Sequence, residues 1–297
     1  MKRFDVIGFG ALNVDKLYKV NKIAGPEEEG FIKGFEEACG GSAANTIVGL
    51  ARLGCKVGFI GKVAKDREGK MLMENFRREG VNTKGIIRAE TGRSGTVMGF
   101  VDERGERALY VDPGVNDTIS FEEIDVGYAC QAKFIHLTSF VGEKSFKAQK
   151  RLVENLPEDV KVSLDPGELY ARKGIKALNP VLKRTFVFMP NSRELALLTG
   201  IEDHVKGAEK MLEHGVKIVA VKLRGKGCYV TDGRESHHVE AFKVHIVDTT
   251  GAGDAFCAGF LYGLLNGKSL KECAKLGNFV ASRCIMKMGA RTGLTRL

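Results

Sequence analysis

The chain has no C-x-x-C pair, no Walker A motif, only two glutamines (Gln131 and Gln149) and no apolar run of the roughly 18 residues a membrane span requires. Each gap removes a class of protein. The seven cysteines, Cys39, Cys55, Cys130, Cys228, Cys257, Cys273 and Cys284, are scattered and odd in number, which argues against a disulfide framework or a zinc site. Histidine is sparse as well. Its adjacent pair, His237 and His238, falls in a predicted hairpin arm where neighbours point to opposite faces, so it is a poor metal site. With no apolar span, and with a strand pattern starting at Phe4, a soluble cytoplasmic protein without a membrane partner is expected. The scarcity of glutamine beside many charges suits a heat-adapted source.

What the chain does have is charge. The formal net charge is +9, yet the basic residues are mixed with acids, as in Lys65, Asp66, Arg67 and Glu68 or Asp102, Glu103, Arg104 and Glu106. No basic helix or aromatic-basic platform stands out, so a nucleic-acid partner is not expected. A positive field still favours phosphate-bearing small molecules.

At 297 residues and 43% hydrophobic composition the chain can bury one large core, and a single α/β domain over residues 1–297 is expected. After residue 120, strand patterns at Phe134–Leu137, Val160–Leu164, Thr185–Met189 and Ile218–Lys222 alternate with helical stretches around 143–155, 168–182 and 191–213. That rhythm predicts a parallel sheet covered on both faces. Earlier, a strand at Phe4–Gly8 leads into a polar, irregular stretch reaching about Glu37. Helices are predicted at Ser42–Leu53 and Asp66–Glu79, and strands at Val57–Val63 and near Ile86 and Ile87. Hairpins are predicted from Gly95 to Val111 and from Gly227 to Val239, and helices at about 252–266 and 269–287 close the chain.

The most informative segment runs from Asp248 to Phe256, D-T-T-G-A-G-D-A-F. Gly251 and Gly253 let backbone amides at a helix start approach a phosphate, and the helix dipole there favours negative charge. Asp254 then sits beside the same anion, where a carboxylate suits proton removal from an attacking hydroxyl. A second glycine-led helix start, Gly40, Gly41, Ser42, Ala43, Ala44 and Asn45, lies far earlier, with Ser42 a candidate N-cap. Asn13 and Asp15 follow the first strand, where ligands of open α/β sheets collect. A dinucleotide fingerprint there is interrupted, because Asn13 replaces the third glycine, which disfavours an NAD-dependent oxidoreductase. Asn191 and Glu194 at another helix start read either as a capping box or as oxygen ligands for hydrated Mg²⁺.

The two glycine-led segments, with their order and separation, resemble the N-terminal and C-terminal signatures of the PfkB (ribokinase-like) carbohydrate kinase family. The resemblance implies a three-layer α/β sandwich with a mostly parallel central sheet, plus a small β-sheet lid from about 11–36 and 92–112. It implies ATP-dependent transfer of the γ-phosphate to a hydroxyl of a small sugar, a ketohexose or pentose. Asp254 would be the base, with Gly251, Ala252 and Gly253 around the transferring phosphoryl. Asp15, Gly40, Gly41 and Asn45 would hold substrate hydroxyls, beside Asn13. The N-x-x-E motif, Asn191 and Glu194, would serve Mg²⁺, held through water.

A loop carrying Lys222, Gly225 and Gly227 would cover the nucleotide, although Arg224 stands where the family usually has glycine after the leucine. Asn278 would lie beside the adenine, and Asp248 and Thr250 would hold a monovalent cation such as K⁺. The lid implies a possible homodimer through its strand edges. G-G-S-A-A-N is also the form in several archaeal-type nucleoside kinases, so a nucleoside substrate is the alternative; Asp165, Pro166 and Gly167 depart from the D-x-N-x-R pattern of many sugar kinases. A non-catalytic sensor on the same fold would be expected to lose the base or the glycine turn, and the chain keeps both.

Overall fold

The computed structural model describes residues 2–296. In chain order its elements are β1 (Phe4–Phe9), β2 (Asn13–Val20), β3 (Ile32–Gly40), α1 (Ser42–Arg52), β4 (Val57–Ala64), α2 (Arg67–Arg78), β5 (Asn82–Ala89), β6 (Gly95–Val101), β7 (Arg107–Asp112), α3 (Val126–Ala129) and β8 (Ala132–Leu137). There follow α4 (Glu143–Asn155), β9 (Lys161–Leu164), α5 (Gly167–Leu182), β10 (Thr185–Phe188), α6 (Ser192–Thr199), α7 (His204–Glu213), β11 (Ile218–Lys222), β12 (Cys228–Thr231), β13 (Ser236–Val239), α8 (Ala252–Leu265) and α9 (Leu270–Cys284).

Nine strands form the main sheet in the order β13-β12-β11-β10-β9-β8-β1-β4-β5, parallel except where β12 and β13 join. The central strands are apolar on both faces, as a doubly covered sheet requires; all eight residues of β4 are buried. Period-two alternation divides neighbours between two cores. Val6, Val187 and Ala220 face the layer of α1, α2, α8 and α9, while Ile7, Phe188 and Val219 face the layer of α4, α5, α6 and α7.

Four strands form the second sheet, in the order β3-β2-β6-β7. The polar stretch before Glu37 supplies β2 and β3, and the predicted hairpin supplies β6 and β7. Residues aligned across it share a face. Asp15 lies in register with Ala38 and Val97, so these three project together.

Some boundaries differ from expectation. The helix predicted over 191–213 is two helices, because Gly200 takes a left-handed φ of 73° and ends α6. Gly174, at φ 76°, breaks α5 in the same way. Ser42 is the first helical residue rather than the cap; Gly41 caps α1 with φ 101°, and a Cβ there would lie 2.2 Å from the Ala11 carbonyl oxygen.

Helices α8 and α9 pack through glycine. A Cβ on Gly259 would lie 2.5 Å from the Leu276 carbonyl oxygen, and one on Gly277 would lie 2.8 Å from the Phe256 ring. Backbone cannot yield as a flexible side chain can, so a methyl group must part the helices. Gly259→Ala is therefore expected to destabilise the protein by ~1–3 kcal/mol, seen as a lower urea midpoint at unchanged m-value. An unchanged midpoint would show that the two helices are not in close backbone contact.

Candidate active site

Two helix starts without side-chain caps meet at the carboxyl ends of the strands. Helices α2, α6, α7 and α9 are each capped by a side chain, from Asp66, Asn191, Asp203 and Ser269. Helices α1 and α8 begin at Gly41 and Gly251, which offer no side chain to the first amides. Gly251 has φ 78°, and a Cβ on it would lie 2.6 Å from the Ala290 side chain. The start of α8 thus has no side-chain cap and presents the positive end of its dipole, which favours an anion, although Ala252 N also donates to the Thr249 carbonyl at 3.2 Å.

Asp254 stands in that first turn. Its Oδ2 accepts a 2.8 Å hydrogen bond from the Asn45 Nδ2 on α1, and its carbonyl oxygen accepts one from the Thr46 hydroxyl at 3.1 Å. Burial raises the Asp254 carboxyl to a pKa of about 7; the Asn45 hydrogen bond opposes that, Asp165 adds to it, and Lys222 and Arg291 oppose it. The residue as a whole is half-buried, and its carboxyl is the crowded part.

On one side of Asp254 lies an ion pair. The Lys222 Nζ donates to Asp165 Oδ2 at 2.6 Å, the Cys257 thiol donates to the same oxygen at 3.4 Å, and Lys222 lies close enough to Gly253 that a Cβ there would sit 3.3 Å from Nζ. Burial works against the charged amine, but Asp165, with Cys257 and Glu194, outweighs it and holds the Lys222 pKa above the usual lysine range. Asn191 and Glu194 form the capping box: Glu194 N donates to Asn191 Oδ1 at 2.9 Å, and Asn191 N donates to Glu194 Oε2 at 2.8 Å. Glu194 is buried, and burial together with nearby Asp165 raises its pKa. The cap thus leaves a constrained carboxylate near a second acid, a hard oxygen set that suits a hydrated Mg²⁺.

On the other side lies a cluster of polar groups. Asp15 is pressed against Gly40, where a Cβ would lie 2.3 Å from its Oδ2, so no larger residue fits. Burial raises the Asp15 pKa to about 6, opposed by Arg291. Asn13 Oδ1 accepts from Asn116 Nδ2 at 3.0 Å, and Asn116 also closes a reciprocal pair with the Leu12 backbone at 2.9 Å. An 880 Å³ hollow beneath the hinge of the small sheet, lined by Lys62, Arg88, Arg93 and Glu123 among others, holds none of the motif residues.

Three of the expected ligand residues already make hydrogen bonds within the protein. Asn278 Nδ2 donates to the carbonyls of Val239 and Glu240 at 2.9 and 3.0 Å, so it ties α9 to the end of β13. Asp248 accepts from Thr250 N at 2.9 Å, the Thr250 hydroxyl at 2.7 Å and Gly289 N at 2.8 Å, which closes the turn ahead of α8. Gly227, at φ 87°, fits only as glycine because a Cβ would lie 2.0 Å from the Val239 carbonyl oxygen, whereas Gly225 faces open space. Arg224 takes a φ of 55°, so the glycine usual at that position in the family gives way here to an arginine in a left-handed conformation.

Sequence reasoning passed over Asp165 as a site residue and missed Arg291 and Asn116. Each lies far in sequence from the groups it touches, and no local motif marks any of them.

A parallel sheet doubly covered by helices, with a glycine-led, uncapped helix start and a carboxyl raised by burial at the carboxyl edge, is the arrangement of a phosphotransferase acting on a hydroxyl, and the family match agrees. The chain belongs to the pfkB family of carbohydrate kinases, whose description "pfkB family carbohydrate kinase" matches residues 4–296. An uncharacterized sugar kinase of Archaeoglobus fulgidus is 52% identical over 252 residues, covering 84% of this chain and 99% of that protein. An ATP-dependent ribose-1-phosphate kinase of Halopiger xanaduensis is 31% identical, with 98% and 95% covered. The structure of Arabidopsis thaliana ribokinase complexed with ribose and ATP matches with a TM-score of 0.86 at 25% identity, covering 99% of this chain and 96% of that one.

The Asp254 carboxyl also sets a stability cost. Its folded pKa of about 7 lies above the ordinary 3.8, so the folded state holds this proton more tightly. The cost is therefore absent below the ordinary value and complete once pH has risen through about 7. Asp254→Asn is expected to raise Tm by a few degrees at about pH 8.5 and to leave it nearly unchanged at about pH 4. A Tm gain of equal size at both pH values would show that ionisation is not the cause.

Proposed function

We propose that the chain transfers the γ-phosphate of ATP to a hydroxyl of a small sugar, a ketohexose or pentose, with Asp254 as the general base. The observation that carries the reading is the Asp254 carboxyl, raised by burial to a pKa of about 7 at an uncapped, glycine-led helix start and hydrogen-bonded to Asn45 of the first signature. A base with a pKa near the working pH combines the right protonation state with useful basicity. Asp254 takes the proton from the attacking hydroxyl as the oxygen–phosphorus bond forms. The amides of Gly251, Ala252 and Gly253 stabilise charge on the transferring group, and the ADP oxygen leaves on the opposite side.

Asp15, Asn13, Gly40, Gly41 and Asn45 orient the acceptor. Lys222 offers its charge beside Gly253, and the loop with Gly225 and Gly227 covers the nucleotide. Asn278 serves that nucleotide site indirectly, by fixing residues 239 and 240. Mg²⁺, held near Glu194 and Asn191 through water, neutralises phosphate charge when bound. The reading includes K⁺ beside Asp248 and Thr250. The small sheet acts as a lid that excludes water. A cytoplasmic setting is supported by seven cysteines that all remain free thiols and by the absence, among the described residues, of any helix long and apolar enough to cross a membrane.

A nucleoside acceptor is the second reading. The in-register face of the small sheet beside Asp15 carries Val97, Val111, Leu17 and Leu109, an apolar surface that suits a base as well as a bare sugar edge. Coupled ADP detection with fructose, ribose, 2-keto-3-deoxygluconate, adenosine, inosine and cytidine, in KCl and in NaCl, separates the two readings. With the best acceptor, Asp254→Asn is expected to lower kcat by ~10²-fold or more. Near wild-type turnover in that variant would remove Asp254 from the role.

The reading also takes the lid as the homodimer contact. Leu109, Tyr110 and Val111 on edge strand β7, and Ile32 and Phe35 on β3, are exposed. Sedimentation should give twice the monomer mass, and Leu109→Glu with Val111→Glu should reduce it to one; an undisturbed dimer would place the contact elsewhere.

A further inference from the structure

We propose that Arg291 is a positioning residue for Asp254 and acts through the side-chain amide of Asn45. The inference rests on Asp254 being the base and concerns what holds that carboxyl in its working geometry. Arg291 lies beyond α9 and is 9% exposed. Its three nitrogens reach three separate acceptors: Nε donates to Asn45 Oδ1 at 2.7 Å, Nη1 to Asn75 Oδ1 at 2.5 Å and Nη2 to the Gly40 carbonyl at 3.1 Å.

Donor chemistry then fixes the amide. A guanidinium nitrogen only donates, so the Asn45 atom facing it must be the oxygen. Nδ2 is thereby turned toward Asp254, to which it donates at 2.8 Å. With the amide reversed, two donors would face each other at Arg291 and two acceptors at Asp254. Arg291 is itself fixed, because Arg52 donates to its carbonyl at 2.5 Å and grips Glu79 at 2.6 Å. A chain of directional bonds therefore runs from the C-terminal segment through α1 to the start of α8.

The charged and titratable groups around Asp254 come from several elements. Asp165 follows β9, Lys222 ends β11, Cys257 lies on α8, Cys284 ends α9, and Arg291 approaches from the C-terminal segment. Lys222 is held by Asp165 and not by Arg291, so changing Arg291 removes none of its contacts. Lysine at 291 keeps the charge but lacks the planar fork that fixes the amide.

The test is a ¹³C-carboxyl NMR titration of aspartate-labelled protein, with the Asp254 signal assigned by Asp254→Asn. Wild type is compared with Arg291→Lys, Arg291→Met and Asn75→Leu. Both Arg291 variants are expected to raise the Asp254 pKa by about one unit, a ~tenfold smaller carboxylate fraction on the acid side, and Asn75→Leu by less. In the kinase assay the acid limb of kcat should move up in step, while a purely structural role would lower kcat equally at every pH.

An unshifted Asp254 titration in the Arg291 variants overturns the proposal. So does wild-type behaviour of Arg291→Lys, which would make charge rather than amide orientation the cause. If Arg291→Met does not fold, Arg291→Lys and Asn75→Leu decide the matter. The titration needs no substrate, so its outcome stands apart from the assay that tests Asp254 as the base.

Discussion

The 2.8 Å hydrogen bond between Asn45 and Asp254 joins residues 209 positions apart in the chain, each in the first turn of its helix, and the site is organised around keeping both helix starts without side-chain caps. A side-chain cap on either would occupy the amides that an anion needs. Glycine at 41 and 251 supplies no such cap, but a helix start without one costs stability and needs support from elsewhere. The support comes from packing. Helices α1 and α8 press their apolar faces into one core with Phe59, Phe256 and Phe260, and α8 lies against α9 through glycines that admit backbone contact.

Electrostatics follow from the same crowding. Three carboxyls, Asp15, Glu194 and Asp254, are driven up by burial, while Arg291 and Lys222 stand close enough to limit the rise. The arrangement keeps unlike charges near one another without neutralising every acid. Asp165 is spent on Lys222, whereas Asp254 meets only a neutral amide at hydrogen-bond distance. A buried carboxyl with a neutral donor and a distant cation is neither a locked ion pair nor an inert acid, and in the proposed reaction that intermediate condition is what proton transfer uses.

The small sheet is tied to this centre by polar contacts and by Val14 and Cys39, which reach into the main core. Asn116 binds Leu12 and Asn13, Gly40 meets Asp15 and Arg291, and Lys16 pairs with Glu68 at 2.7 Å.

Local chemistry in the sequence determined much of the architecture. Continuous apolar runs gave the parallel strands, the glycine turns before residues 42 and 252 gave the two special helix starts, and Asp102 to Gly105 gave the hairpin. Asn191 and Glu194 were readable as a cap because a capping box is a matter of neighbouring residues. What the sequence could not disclose were relations between distant segments. The joining of β2 and β3 with β6 and β7 is non-local pairing that only the family resemblance anticipated, and the break at Gly200 depends on where α6 and α7 must each bury a face. Asp165, Asn116 and Arg291 acquired their places only when folding brought separate strands and the C-terminal segment together. A guanidinium shared among Asn45, Asn75 and the Gly40 carbonyl has no periodicity or motif to announce it, since hydrogen bonds act over about 3 Å of space and are indifferent to separation along the chain.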